Sequence, residues 1–285
     1  MSVSFVVVPQ WQGSVSPRAM RLIDGAEAIR GDLPASRTRV VDVPAEAGDG
    51  QDTGISRFST LAMVRERLAH TLRELVDETP EAEPGWALTI GGDCGVSLAA
   101  VGHAAAQNSG KMAVVWFDAH PDLHTAETSA SGGFSGMVLR AITGDGHDQL
   151  ALADDAAVPF DRVILAGIRD VDPPEDEVME QRGIRSLFAE DLEASDGLVG
   201  AIRDTGATCV YVHIDLDVLD PAVLMGLSNP LPFGLSVEAL TGAITALRAE
   251  FPIAGATIAG FAPASPEAAN DDLPSILRII GALTR

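Results

Sequence analysis

Two stretches of this chain are apolar almost without interruption and then turn abruptly acidic. Met112–Phe117 (Met-Ala-Val-Val-Trp-Phe) runs into Asp118-Ala119-His120-Pro121-Asp122. Cys209–Ile214, apolar apart from His213, runs into Asp215-Leu216-Asp217-Val218-Leu219-Asp220-Pro221. Short runs of this kind predict strands buried on both faces. In extended backbone, alternate residues point to the same side. Asp118, His120 and Asp122 therefore share a side just past one strand end, and Asp215 and Asp217 do so past another. Two strands that both end in alternating carboxylates predict one oxygen-rich metal site at the carboxyl edge of a sheet.

The rest of the chain supplies that sheet. Further strands are predicted at 4–9, 37–43, 86–90, 162–166, 184–188 and 253–261, with the second acidic strand spanning 208–214. Helices are predicted at 16–30, 58–77, 96–106, 137–142, 176–182, 191–203, 236–250 and from Pro274 to the end. Ser16 and Pro17 read as the N-cap and first residue of the first helix. Leu61, Val64, Leu68, Leu72 and Leu75 give the second its helical period. Steady alternation of short strands with crossover helices predicts an α/β class fold, a three-layer α/β/α arrangement around a mainly parallel sheet. Ligands in such folds bind beyond the carboxyl ends of the strands. No shift in composition marks a linker, so residues 1–285 read as a single domain.

Bulk properties exclude several classes. No apolar run reaches the length of a membrane span, and the start, Met-Ser-Val-Ser-Phe, has no basic region of a signal peptide. Cys94 and Cys209 are the only cysteines, too few for a disulfide framework. The expected location is cytoplasmic. A net charge of −22 argues against nucleic acid or an anionic membrane as partner.

Gly91-Gly92-Asp93-Cys94, Asp118-Ala119-His120-Pro121-Asp122 and Asp215-Leu216-Asp217-Val218-Leu219-Asp220-Pro221 resemble, in order and spacing, the three signature motifs of the ureohydrolases, the arginase/agmatinase family. Gly167–Glu175 (Gly-Ile-Arg-Asp-Val-Asp-Pro-Pro-Glu) resembles a further stretch of arginases. The resemblance implies an arginase-like fold and a hydrolase of C–N bonds in guanidino groups with two Mn²⁺ per chain. Carboxylate and water ligands suit that ion, and two such ions activate a shared water. It further implies Cys94, Asp118, His120, Asp122, Asp215 and Asp217 as metal ligands, with Asp118 and Asp215 bridging. Asp122 is implied as the catalytic proton carrier beside a bridging hydroxide. His124, Ser131, Asp172 and Glu175 match positions that hold the α-amino-acid head of a substrate. Homo-oligomers are common in the family, and nothing in this sequence fixes an interface. Asp220, before Pro221, reads as a turn residue, and His213 as a packed and satisfied histidine.

Three positions depart from the family pattern. Cys94 replaces a metal-binding histidine, which favours softer ions such as Zn²⁺ or Fe²⁺ as competitors. Ser135, in Ser135-Gly136-Met137, replaces a histidine proton shuttle. Gly260 stands where arginases carry a glutamate that pairs with the guanidinium; Glu267 and Asp271 follow and could replace it if their loop folds back. These changes point to a less basic electrophile on an arginine-like amino acid, such as the hydroxyguanidine of N-hydroxyarginine. The alternative is a catalytically impaired relative that binds metal and serves as a regulatory or partner-binding protein.

Overall fold

Eight strands pair in parallel throughout, in the order β2-β1-β3-β8-β7-β4-β5-β6. They are β1 (Val3–Val8), β2 (Thr38–Val40), β3 (Trp86–Gly91), β4 (Met112–Phe117), β5 (Val163–Ala166), β6 (Arg185–Leu187), β7 (Cys209–Asp215) and β8 (Ile253–Ala259). The computed structural model describes residues 2–78, 85–108, 110–192 and 196–285. Among these, eight helices cover the sheet: α1 (Arg21–Gly31), α2 (Phe58–Glu78), α3 (Ser97–Asn108), α4 (Val138–Ile142), α5 (Pro173–Arg182), α6 (Asp196–Asp204), α7 (Val237–Glu250) and α8 (Pro266–Thr284).

The alternation of strand side chains divides the interior into two apolar layers. Val3, Phe5 and Val7 belong to the layer that also holds the buried faces of α1, α6, α7 and α8, and Val6 and Val8 to the layer that holds those of α2, α3 and α4. The central strands β4 and β7 are buried along their whole length, as uninterrupted apolar runs require. Insertion of β8 and β7 between β3 and β4 brings the ends of four chain-distant strands side by side. Ligand sites of α/β sheets form at such discontinuities in strand order.

The main differences from the sequence expectations lie at element ends. Helix α1 starts at Arg21, not at Ser16. Ser16 opens a preceding turn, accepting from the Arg18 N–H at 3.2 Å and donating to the Ser228 carbonyl at 3.1 Å. Only Thr38–Val40 of the stretch 37–43 pairs as a strand. Helix α5 starts at Pro173, because the acidic residues read as loop form its cap. Helix α6 starts at Asp196; residues 193–195 of the expected helix 191–203 lie outside the described residues. Strand β8 stops at Ala259, where Gly260 takes a φ of +86°. Helix α8 starts eight residues before Pro274, capped by the Ser265 hydroxyl on the Ala268 N–H at 3.2 Å. Proline removes one intrahelical hydrogen bond, but the buried face formed by Ala269, Ile276, Ile279 and Leu283 carries the helix through it.

Candidate metal centre and substrate pocket

One pocket at the carboxyl edge of the sheet is lined by Cys94, Asp118, His120, Asp122, Asp215 and Asp217, and also by His124, Ser131, Ser135, Asp172, Glu175 and Gly260. Every residue that the resemblance assigns to the metals or to the amino-acid head therefore reaches one cavity. Each strand end contributes differently, and local hydrogen bonding explains how.

Beyond β3, the Gly-Gly-Asp-Cys turn is mostly architecture. Asp93 accepts from Gln10 Nε2 at 2.9 Å, from the Gly13 N–H at 2.8 Å and from the Gly95 N–H at 2.8 Å. A Cβ at Gly92 would lie 1.8 Å from the Gln10 carbonyl oxygen, so only glycine allows the two turns to touch. These contacts leave Cys94 as the member of the motif that faces the acidic cluster. Its Sγ donates to Asp215 Oδ2 at 2.8 Å. Burial, and then the charges of Asp215, Asp122 and Asp118, push its pKa well above that of an ordinary thiol.

Beyond β4 and β7, carboxylates crowd together. His120 Nδ1 lies 3.2 Å from both Asp118 Oδ1 and Asp217 Oδ2, so the three form one potential ligand group. Burial opposes charge on His120, but hydrogen bonds to the two carboxylates outweigh it and push its pKa up to about 12. Asp118 is held below the usual carboxylate range: burial works the other way and is overcome by His120 and His213. Burial, with the charges of Asp217 and Asp118, raises Asp215 to about 8, and burial with Asp118 raises Asp217 to about 6. Asp122 is raised well above its ordinary value by burial and then by Asp118. Its backbone has a φ of +54°, a left-handed conformation that a non-glycine residue adopts at a cost of about 1–3 kcal/mol. The same residue's carbonyl accepts from the Leu139 and Arg140 N–H groups at the start of α4, which holds it there.

Beyond β5, Asp172 and Glu175 are occupied differently. Glu175 accepts from the Leu123 N–H at 2.9 Å and the Asp172 N–H at 3.2 Å, joining the cap of α5 to the segment after Asp122. Asp172 is exposed and lies 3.1 Å from His124 Nε2. Ser131 Oγ accepts from the Gly133 N–H at 3.2 Å. Beyond β8, a Cβ built on Gly260 would stand 2.1 Å from Asp215 Oδ1. Glu267 and Asp271 lie exposed on α8 and do not line the pocket, so neither replaces the absent glutamate. Asp220 is a turn former, accepting from the N–H groups of Ala222 at 2.8 Å and Phe233 at 2.7 Å.

Two contributors escaped the sequence reading. Arg169, read as part of a polar loop, donates to the carbonyls of Asp217 at 2.6 Å, Leu231 at 2.9 Å and Pro232 at 3.0 Å. It clamps the turn that carries Asp217 onto the neighbouring loop, and a lone arginine beside a strand end was its only signal. His213 is fully buried, as expected of a packed residue, but it is not satisfied: its Nε2 has no hydrogen-bond partner.

The arrangement suits cations. Asp118 Oδ2 and Asp122 Oδ2 are buried without partners. An unsatisfied buried acceptor costs about 1–3 kcal/mol, more when charged, and a cation in contact with it removes that cost.

Comparison with known proteins agrees with this geometry. The profile described as the arginase family matches residues 14–273. An arginase from Bacillus caldovelox is 27% identical over 257 residues, covering 82% of this chain and 82% of the relative. The crystal structure of Entamoeba histolytica arginase in complex with L-ornithine has a TM-score of 0.83 at 22% identity, covering 99% of this chain and 97% of that one. Formimidoylglutamase from Bacillus subtilis has a TM-score of 0.72 at 18% identity, covering 99% and 86%. These structural likenesses, at such low identity, concern the fold alone. The profile spans nearly the whole chain and includes every strand end that lines the pocket, and the chain belongs to the arginase family.

Proposed function

We propose that this arginase-family protein is a binuclear-metal hydrolase that cleaves a C–N bond of a guanidino or hydroxyguanidino amino acid. Mn²⁺ is the expected ion and N-hydroxyarginine the expected substrate. The observation that carries the reading is the convergence of four aspartates, His120 and Cys94 on one pocket floor, with unpaired oxygens on Asp118 and Asp122. Asp118, Asp122, Asp215, Asp217, His120 and Cys94 would hold the ions. A pair of divalent ions, when bound, lowers the pKa of water and polarises the electrophilic carbon.

The chain's own residues do the rest. Asp122, buried and strained, is placed to take up a proton and deliver it to the departing nitrogen. Ser135 lines the same pocket but a hydroxyl is no general base near neutral pH, so proton transfer rests on Asp122. His124 with Asp172, and Ser131, line the same pocket and would orient an α-amino-acid head. Gly260 offers no carboxylate to a cationic guanidinium, and its backbone excludes one. A hydroxyguanidine is less basic and has less need of that partner.

Metal content per chain and hydrolysis rates with arginine and N-hydroxyarginine test the reading. Two manganese ions and faster hydrolysis of N-hydroxyarginine are expected. Equal or arginine-favouring rates would overturn the substrate assignment. One metal or none, with neither compound hydrolysed, would favour a metal-binding regulatory relative, the second reading that Ser135 and Gly260 support.

A further inference from the structure

His213 is the one buried histidine at the acidic cluster that the family motifs leave without a role. It lies on β7 two residues before Asp215, fully enclosed. Its ring stacks on the neighbouring strand's Trp116, with centroids 3.5 Å apart and planes at 14°. Nδ1 lies 2.8 Å from Ser97 Oγ at the start of α3. These two contacts fix the ring plane and its rotation.

Nε2 points the other way. It lies 3.8 Å from Asp118 Oδ2, beyond hydrogen-bond range, and both atoms are buried without a partner. A ring nitrogen of His213, a carboxylate oxygen of Asp118 and Cys94 Sγ lie within 4.8 Å of one another, close enough for one ion. Two nitrogen or oxygen donors each about 2.0–2.2 Å from a shared ion stand up to roughly 4.3 Å apart. The tautomer protonated at Nδ1, donating to Ser97, leaves the Nε2 lone pair facing this gap. A metal-binding histidine is ordinarily oriented by just such a hydrogen bond on its other nitrogen.

We propose that His213, through Nε2, is a metal ligand on the Cys94 side of the site and supplies the neutral imidazole that Cys94 does not. The inference rests on the metal-centre reading of the preceding subsection. It accounts for how a site already holding four carboxylates accommodates a cysteine. An imidazole adds a donor without adding negative charge to a site where four carboxylates and Cys94 already supply it.

The test uses the full chain with histidine labelled by ¹⁵N and loaded with ¹¹³Cd²⁺. Metal–nitrogen coupling is expected on two imidazoles, assigned to His120 and His213 by single substitution. In parallel, Mn²⁺ affinity is measured for His213→Phe, which keeps a ring to stack on Trp116, and for Ser97→Ala. His213→Phe is expected to weaken the second Mn²⁺ by about 100-fold or more, with the metal-free melting temperature kept. Ser97→Ala is expected to weaken it by about 10-fold, the range for partners that orient a ligand. A purely structural histidine would instead lower the metal-free melting temperature and leave the affinity of the folded protein unchanged. Coupling on His120 alone, with two ions still bound, would overturn this inference and leave the metal centre standing. Uptake of no metal by the unaltered protein would overturn both.

Discussion

Two acidic clusters line one pocket, and they use their carboxylates in different ways. At the ends of β4 and β7, Asp118, Asp122, Asp215 and Asp217 are buried and mutually repelling, and Asp118 Oδ2 and Asp122 Oδ2 have no hydrogen-bond partner. At the start of α5, Glu175 is also buried, but both of its oxygens receive backbone N–H groups, and Asp172 is exposed beside His124. The first cluster is poorly satisfied by the protein and gains from a cation. The second is satisfied by the protein and shapes the wall of the pocket. Both sets are carboxylates that lie at or beyond the carboxyl end of a strand. What separates them is that backbone N–H groups reach both oxygens of Glu175 but leave one oxygen each of Asp118 and Asp122 without a donor.

The comparison is broken most severely at the metal end. Asp215→Asn is expected to cost more activity than the about 10–100-fold typical of changes beside a ligand, and to lower the bound metal per chain, read by elemental analysis. In the second cluster, Asp172→Asn is expected to raise KM for the amino-acid substrate by about 10–100-fold, the scale of one charge-assisted hydrogen bond, with metal content unchanged. A result in which Asp172→Asn lowers metal content would erase the distinction between the clusters.

Gly260→Glu is expected to destabilise the protein by at least about 1–3 kcal/mol without conferring arginine hydrolysis, because a Cβ there meets Asp215 and φ is +86°. Thermal melting and an arginine assay check this together. Stable folding with a gain in arginine hydrolysis would show that the wall can rearrange.

The pH dependence of the metal-free protein sharpens the contrast further. Asp215 and Asp217 have pKa values raised to about 8 and about 6, and that of His120 is raised to about 12. All three bind protons more tightly folded than unfolded, so stability falls wherever the folded chain holds protons the unfolded chain has released. For the two aspartates that window runs from their ordinary value near 4 to about 6 and about 8, and for His120 from about 6.5 to about 12. The metal-free melting temperature is expected to fall between pH 5 and pH 8, and the rise on adding Mn²⁺ to grow over about the same interval as metal displaces protons. A metal-free melting temperature that climbs with pH would contradict the proton assignment. The smallest effect belongs to Glu175→Ala, expected to lower stability by about 1–2 kcal/mol through the lost cap, seen in melting without ligand.

Arg169 and His213 show why part of the site was not legible in the chain. Arg169 acts on carbonyls 48 to 63 residues away, and no local pattern announces such partners. His213 looked like an ordinary strand histidine because the missing partner of Nε2 is a property of β4 and the turn after β3, not of β7. The cap of α5 was visible in principle, since Asp172-Pro173-Pro174-Glu175 has the spacing of a capping box. The length of α8 was hidden by Pro274, a breaker that packing overrides.

The sequence alone determined the alternation of strands and helices, the parallel sheet and the placing of ligand-type residues at strand ends. Each of these follows from periodicity and from apolar runs within a few residues. The tertiary structure decided which of those residues share a cavity, which carboxylates remain unsatisfied and which are consumed by helix caps, and that Gly260 excludes a side chain. Those outcomes depend on strand order and on backbone groups brought together from distant parts of the chain, where hydrogen bonding and burial, rather than residue type, set what each group does.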